Sequence, residues 1–146
     1  MSYWDTSALV KLYVQELDSR VFEGQLLRAA NPPATSRITL YEARATFQRK
    51  EAEGMLLAGT AQQLYERLTR HIAAGGIRLV ELGVEIETEY GRVLDSCNQA
   101  NPRIPIRTLD AIHLASAKAA QELEIVTTDK RMRDAAKQLR FAVFPV

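Results

Sequence analysis

The chain has 146 residues, 47% of them hydrophobic and 25% charged, with 19 Lys and Arg against 18 Asp and Glu. That is enough for one domain with a buried core and an ordinary globular composition, and the near-balanced charge argues neither for nor against a nucleic-acid partner. No apolar run approaches the roughly 18 residues of a membrane span; Met1-Ser2-Tyr3-Trp4-Asp5 lacks the pattern of a signal peptide; and the lone Cys97 excludes an internal disulfide or a cysteine-based metal site, so a reducing cytoplasm is the expected setting.

In chain order, residues 2–4 form a short apolar stretch that predicts a strand, and Asp5-Thr6-Ser7 then offers helix-capping side chains. Ala8, Leu9, Leu12 and Tyr13 follow at helical spacing. Residues 17–30 predict a second helix with Val21, Phe22, Leu26 and Leu27 on its apolar face, stopped by Asn31-Pro32-Pro33. Residues 34–36 predict a strand, and a helix runs from there to about Glu53, closed by Gly54. A helix over 58–74 ends at Gly75-Gly76, a strand follows over 77–82, and an amphipathic helix runs from Val84 to Gln99. After a loop with two prolines come a helix over 109–122, a strand over 124–127, a helix over 129–139 and a last strand over 141–144. Short strands separated by helices predict an α/β sandwich with a mainly parallel sheet, one domain over residues 1–146.

Four acids stand near helix starts. Asp5 and Asp129 directly follow predicted strands, Glu42 lies in the first turns of its helix, and Asp110 lies in the first turn of the helix over 109–122. That helix rises roughly 21 Å. The extended run over 123–128 returns about 20 Å, which brings Asp129 back to the end where Asp110 stands. Taken singly, each acid is explained by helix capping or by the positive end of a helix dipole; Thr39-Leu40-Tyr41-Glu42 matches a capping box. Capping does not explain why the helix starts converge, nor what offsets several negative charges held together. A divalent cation does. A donor set of hard carboxylate oxygens suits Mg²⁺ or Mn²⁺, and such sites act on phosphodiesters.

Other residues have two readings. His113 sits one turn after Asp110 and is expected to be a packed, hydrogen-bonded histidine rather than a general base. His71 is expected at the surface, and Tyr3, Tyr41 and Phe47 are expected in the core rather than as base-stacking platforms. Arg37, Arg107, Lys130 and Arg131 either bind phosphate or a partner, or are solvated surface. Residues 81–95 carry five acids and one base, and residues 130–140 five bases and one acid. These are either two solvated helix faces or, for the basic one, part of a polyanion contact.

The motifs resemble a known family. Residues 3–13 (Tyr-Trp-Asp-Thr-Ser-Ala-Leu-Val-Lys-Leu-Tyr) resemble the opening motif of PIN-domain proteins, especially the VapC-type toxins of toxin–antitoxin pairs. Residues 36–42, 109–115 and 126–131 resemble the second, third and fourth motifs in the right order. The resemblance implies a three-layer α/β/α sandwich and a Mg²⁺-dependent endoribonuclease (Mn²⁺ being possible) whose products carry a 5′-phosphate and a 3′-hydroxyl. It implies that Asp5, Glu42, Asp110 and Asp129 hold the metal, with Thr6, Ser7 and Thr127 as supporting hydroxyls; Arg107, by its place beside the acids in sequence, is the candidate support or substrate-binding cation. It further implies an RNA substrate, a homodimer and a cognate antitoxin whose C-terminal arm covers the site. Two other roles share these motifs: a catalytically silent binding module, and a nuclease of RNA processing. Trp4 is bulkier than the aliphatic residue usual before the first Asp, which predicts altered packing of that strand.

Overall fold

Five very short strands, alternating with helices, set the architecture. The computed structural model describes residues 1–146. Strands β1 (Ser2–Trp4), β2 (Ala34–Ser36), β3 (Arg78–Val80), β4 (Glu124–Val126) and β5 (Ala142–Phe144) form one parallel sheet in the order β3-β2-β1-β4-β5. Successive strand side chains point to opposite faces, so neighbouring residues of β1 start different cores. Tyr3 joins Ala34 and Ile125 in one buried cluster, and Trp4 joins Val126 in the other.

Helix α1 (Thr6–Leu9) runs into a 3₁₀ turn over Val10–Leu12; α2 (Ser19–Arg28), α3 (Arg37–Ala52) and α4 (Thr60–Ala73) complete the connections out to β3. They fill the cluster around Trp4 with Phe22, Phe47, Leu64 and Leu68. Helices α5 (Val84–Gln99), α6 (Thr108–Ala119) and α7 (Lys130–Gln138) fill the cluster around Tyr3 with Val93, Leu114 and Met132. Parallel crossovers are right-handed. From β1 to β3 the chain steps one way across the sheet and from β3 to β5 it steps the other, so the helices change faces. The result is the three-layer α/β/α sandwich with a parallel sheet.

Helix ends follow local chemistry. Helices α3 and α4 close where Gly54 and Gly75 take φ of +81° and +82°, a left-handed conformation that glycine adopts without steric cost. Helix α6 ends at Ala119, short of the expected Glu122, because Gln121 turns left-handed at φ +57° and the Glu122 amide donates to Ala117 O at 3.0 Å. Trp4 is 1% exposed; its ring meets Phe22 edge-on at 6.2 Å and its Nε1–H donates to Ser2 Oγ at 3.1 Å. Tyr3 and Phe47 are fully buried as expected, but Tyr41 is 69% exposed. Leu40, Ala43 and Phe47 are the face of α3 turned to the core, which puts Tyr41 on the outer side. No helix is long and apolar enough to cross a membrane.

Candidate functional site

The central strand brings the first two elements of the site together. The Asp5 amide donates to Val126 O at 3.2 Å, so Asp5 stands where β1 and β4 part. Here the order of connections reverses, and in parallel sheets the crevice beyond such strand ends is the usual ligand position. Asp5 is 4% exposed. Its Oδ1 accepts from Ser7 Oγ at 2.7 Å and from the Ala8 amide at 3.1 Å, and its Oδ2 accepts from Thr127 Oγ1 at 2.5 Å. Ser7 Oγ in turn accepts from the Thr128 amide at 3.0 Å, and Thr127 Oγ1 from the Asp129 amide at 3.0 Å. The hydroxyls of Ser7 and Thr127 thus tie the end of β4 to the Asp5 carboxylate.

The other three acids are held differently. Asp129 caps α7, its Oδ1 accepting from the Arg131 and Met132 amides at 2.8 and 3.1 Å. Asp110 lies in the first turn of α6 with no capping hydrogen bond, and its Oδ2 is buried without a partner. Glu42 does not close a capping box on Thr39. Helix α3 starts earlier, capped by Ser36, whose Oγ accepts from the Ile38 amide at 3.3 Å, so Glu42 lies beyond the first turn. Its Oε1 accepts from Thr6 Oγ1 at 2.8 Å and meets His113 Nε2 at 2.6 Å. Helix α3 and helix α6 pack on opposite faces of the sheet, so this contact is made over its carboxyl edge.

His113 is the buried, hydrogen-bonded histidine expected, 3% exposed, with Nδ1 at 2.6 Å from Tyr3 Oη. Its ring nevertheless ends on a site carboxylate. Neither the role of Tyr3 nor this contact is legible in the local pattern. The available signal is a Tyr two positions before Asp5 and a His three positions after Asp110.

The carboxylates crowd one another. Burial pushes the Asp110 carboxyl above the ordinary range, and the charges of Asp129 and Asp5 add to this against the opposing effect of His113 and Arg107. Burial also pushes Asp5 up, against the hydrogen bonds from Thr127, Ser7 and Ala8 and the pull that His113 exerts in its protonated form. Burial raises Glu42 as well, but the hydrogen bonds from His113 and Thr6 prevail and its carboxyl lies below the ordinary range. No three of the Asp, Glu, His and Cys side chains stand so that all could ligate one metal ion. The donor set still fits a hard cation: Mg²⁺ keeps several waters and needs only one or two carboxylates, and Asp110 offers a buried oxygen with nothing on it.

The basic residues sort by partner. Arg37 is turned away onto Glu81, with Nε donating to Oε2 at 2.9 Å, and Arg133 Nη1 donates to Thr127 O at 3.2 Å. Arg107 is exposed at the start of α6, and Lys130, Arg131, Lys137 and Arg140 are exposed on and after α7. His71 is exposed, its Nδ1 at 2.6 Å from Tyr13 Oη. A mixed-charge cluster unforeseen from the sequence lies beside Glu42. A polar cleft of about 360 Å³ runs from Thr6, Ser7 and Glu42 to Lys11, Arg49 and Lys50. Within it Glu16 is shared by Lys11 and Lys50, the latter at 3.0 Å. The spacing of Lys11 and Glu16 marks no helix face, because the chain between them leaves the 3₁₀ turn.

A family model described as the PIN domain matches residues 2–138. Ribonuclease VapC46 of Mycobacterium tuberculosis is 34% identical over 144 residues, covering 97% of this chain and 94% of that protein. The crystal structure of Mycobacterium tuberculosis VapC20, described as a sarcin–ricin loop cleaving toxin, superposes with a TM-score of 0.67 at 14% identity, covering 92% of this chain and 95% of that one. That of VapBC2 from Rickettsia felis, bound to a DNA fragment from its promoter, gives 0.66 at 17% identity, covering 98% and 97%.

Proposed function

Because the chain belongs to the PIN-domain family, we propose that it is a metal-dependent endoribonuclease, the toxin of a VapBC-like pair. Residues 1–146 act as one nuclease domain in the cytoplasm, as a homodimer, until a cognate antitoxin covers the site. The observation that carries the reading is the unpartnered, buried Oδ2 of Asp110 beside the charges of Asp129 and Asp5. The ribonuclease name of a relative that aligns over nearly the whole chain supports the substrate class.

Asp5, Glu42, Asp110 and Asp129 would hold Mg²⁺, or Mn²⁺ in its place. When bound, such an ion acidifies water and stabilises charge on a phosphoryl oxygen. The chain's own residues do the positioning. Ser7 and Thr127 fix both oxygens of Asp5, and backbone amides at the start of α7 fix one oxygen of Asp129. Arg107 lies close enough to Asp110 to lower its carboxyl pKa, and stands exposed where a substrate phosphate would approach. In the cleft beside the acids Lys11 and Lys50 are engaged by Glu16 and Asp18, and the exposed Arg49 is the cation there that would meet the RNA backbone.

The test is cleavage of RNA by the purified chain, without antitoxin, in Mg²⁺, in Mn²⁺ and in EDTA. Wild type should cleave in either metal and stop in EDTA, and Asp110→Asn should lose on the order of a thousandfold in rate. Intact RNA in both metals, or equal cleavage by wild type and Asp110→Asn, would refute the reading. Growth arrest on expression, relieved by a co-expressed small partner protein, distinguishes a toxin from a processing nuclease.

A further inference from the structure

A chain of buried hydrogen bonds leads from the backbone of β2 to one oxygen of Glu42. The Ser36 amide donates to Tyr3 Oη at 3.1 Å, and an amide N–H can only donate. A phenol keeps its proton at and well above neutral pH, so the Tyr3 hydroxyl has one hydrogen to donate. The shortest contact of that O–H is His113 Nδ1 at 2.6 Å. Nδ1 is therefore the acceptor, and a neutral imidazole carries its hydrogen on Nε2, 2.6 Å from Glu42 Oε1. Every donor then faces an acceptor. The opposite tautomer sets the Tyr3 O–H and the His113 Nδ1–H against each other out of water, and a lone pair against the half-buried Glu42 carboxylate.

Glu42 Oε1 also accepts from Thr6 Oγ1 at 2.8 Å, whereas Oε2 takes no hydrogen bond. A long side chain that would otherwise sample many rotamers is thus pinned by one oxygen, with the other left free.

We propose that Tyr3 and His113 are positioning residues that clamp Oε1 of Glu42 through a one-directional hydrogen-bond chain and so present Oε2 to the divalent cation. The presentation to metal rests on the functional reading above; the direction of the chain does not. His113 acts through Glu42 and is not itself a catalytic residue, and Tyr3 is a core residue whose polar tip serves the site.

The experiment has two arms. In metal-free wild type at alkaline pH, ¹⁵N–¹H correlation of the imidazole should show His113 in the Nε2–H form alone; the Nδ1–H form, or a mixture, overturns the chain. Calorimetric titration with Mn²⁺ should then show Tyr3→Phe, which keeps the ring, binding roughly three- to tenfold more weakly than wild type. The same substitution in a Glu42→Gln background should cause no further loss. Equal losses in both backgrounds would make Tyr3 a packing residue and overturn the clamp. If Tyr3→Phe does not fold, Thr6→Val, which frees the other bond on Oε1, replaces it in the same cycle. A folded wild type that binds no Mn²⁺ refutes the metal reading and the presentation of Oε2, and the tautomer still decides the direction of the chain.

Discussion

Asp110 is destabilising where it stands. Its carboxyl is buried on one oxygen without a partner and is pushed up by burial and by the charge of Asp129. A folded-state pKa raised above the unfolded value means that its share of stability is intact below about pH 4 and is lost as pH rises through the raised value. Asp110→Asn should therefore raise the metal-free Tm at neutral pH by about 2–4 °C, and the gain should shrink as pH is lowered toward 4. Glu42, whose carboxyl is held down, has the opposite sign: its contribution is present above the ordinary carboxylate pKa and fades as pH falls through its lowered value. Thermal unfolding of both proteins across this range, with and without Mg²⁺, checks the point. Mg²⁺ should stabilise wild type and lose most of that effect on Asp110→Asn. A substitution that stabilises the fold while removing activity marks a residue kept for chemistry. The acids themselves were legible in the sequence, since strand ends and helix starts announce them. Which of their oxygens are tied and which are free was not, because that depends on hydroxyls and an imidazole delivered by other elements.

At the scale of elements, the glycine-closed helices α3 and α4 matched expectation and the glycine-free end of α6 did not. Gln121 holds φ at +57°, which costs a residue with a Cβ on the order of 1 kcal/mol. The side chain is exposed and makes no hydrogen bond that a substitution would remove. Gln121→Gly should stabilise the protein by about 0.5 kcal/mol, the relief being partly offset by the freer unfolded chain. Urea unfolding with an unchanged slope and a raised midpoint is the expected result. The segment after the 3₁₀ turn is pinned by ion pairs instead: Lys11 reaches Asp18 at 2.7 Å as well as Glu16, and Lys50 of α3 holds Glu16 from the other side. This clamp fixes one wall of the cleft beside the acids, and no periodic pattern encodes it.

Across the whole molecule, apolar surface is left uncovered on the side of α5 and α6. Leu82 and Val84 are 47% and 76% exposed and line a groove of about 500 Å³ with Ile86, Tyr90 and Ile112. For the proposed homodimer this groove is the candidate self-association face to test. Val84→Asp should weaken the dimer at least about tenfold, roughly the worth of one buried apolar side chain, in sedimentation equilibrium, while the far-UV spectrum stays that of wild type. An unchanged dimer would move the interface elsewhere. The basic run on α7 that stood out in the sequence keeps its charges exposed, apart from Arg133.

The amino-acid order alone determined the alternation of short strands and helices, the parallel sandwich and the four acids at its carboxyl edge. Those follow from periodicity, turn residues and motif spacing, which are local. Only the tertiary structure decided that Glu42 leans on His113 and Thr6 instead of capping its own helix, that Tyr41 faces outward while Tyr3 reaches the site, and that Asp110 is the acid left without a partner. The reason is topological. Placing β1 between β2 and β4 joins residues from both helical layers over one sheet edge, and contacts between positions 71 and 110 residues apart leave no trace in local spacing.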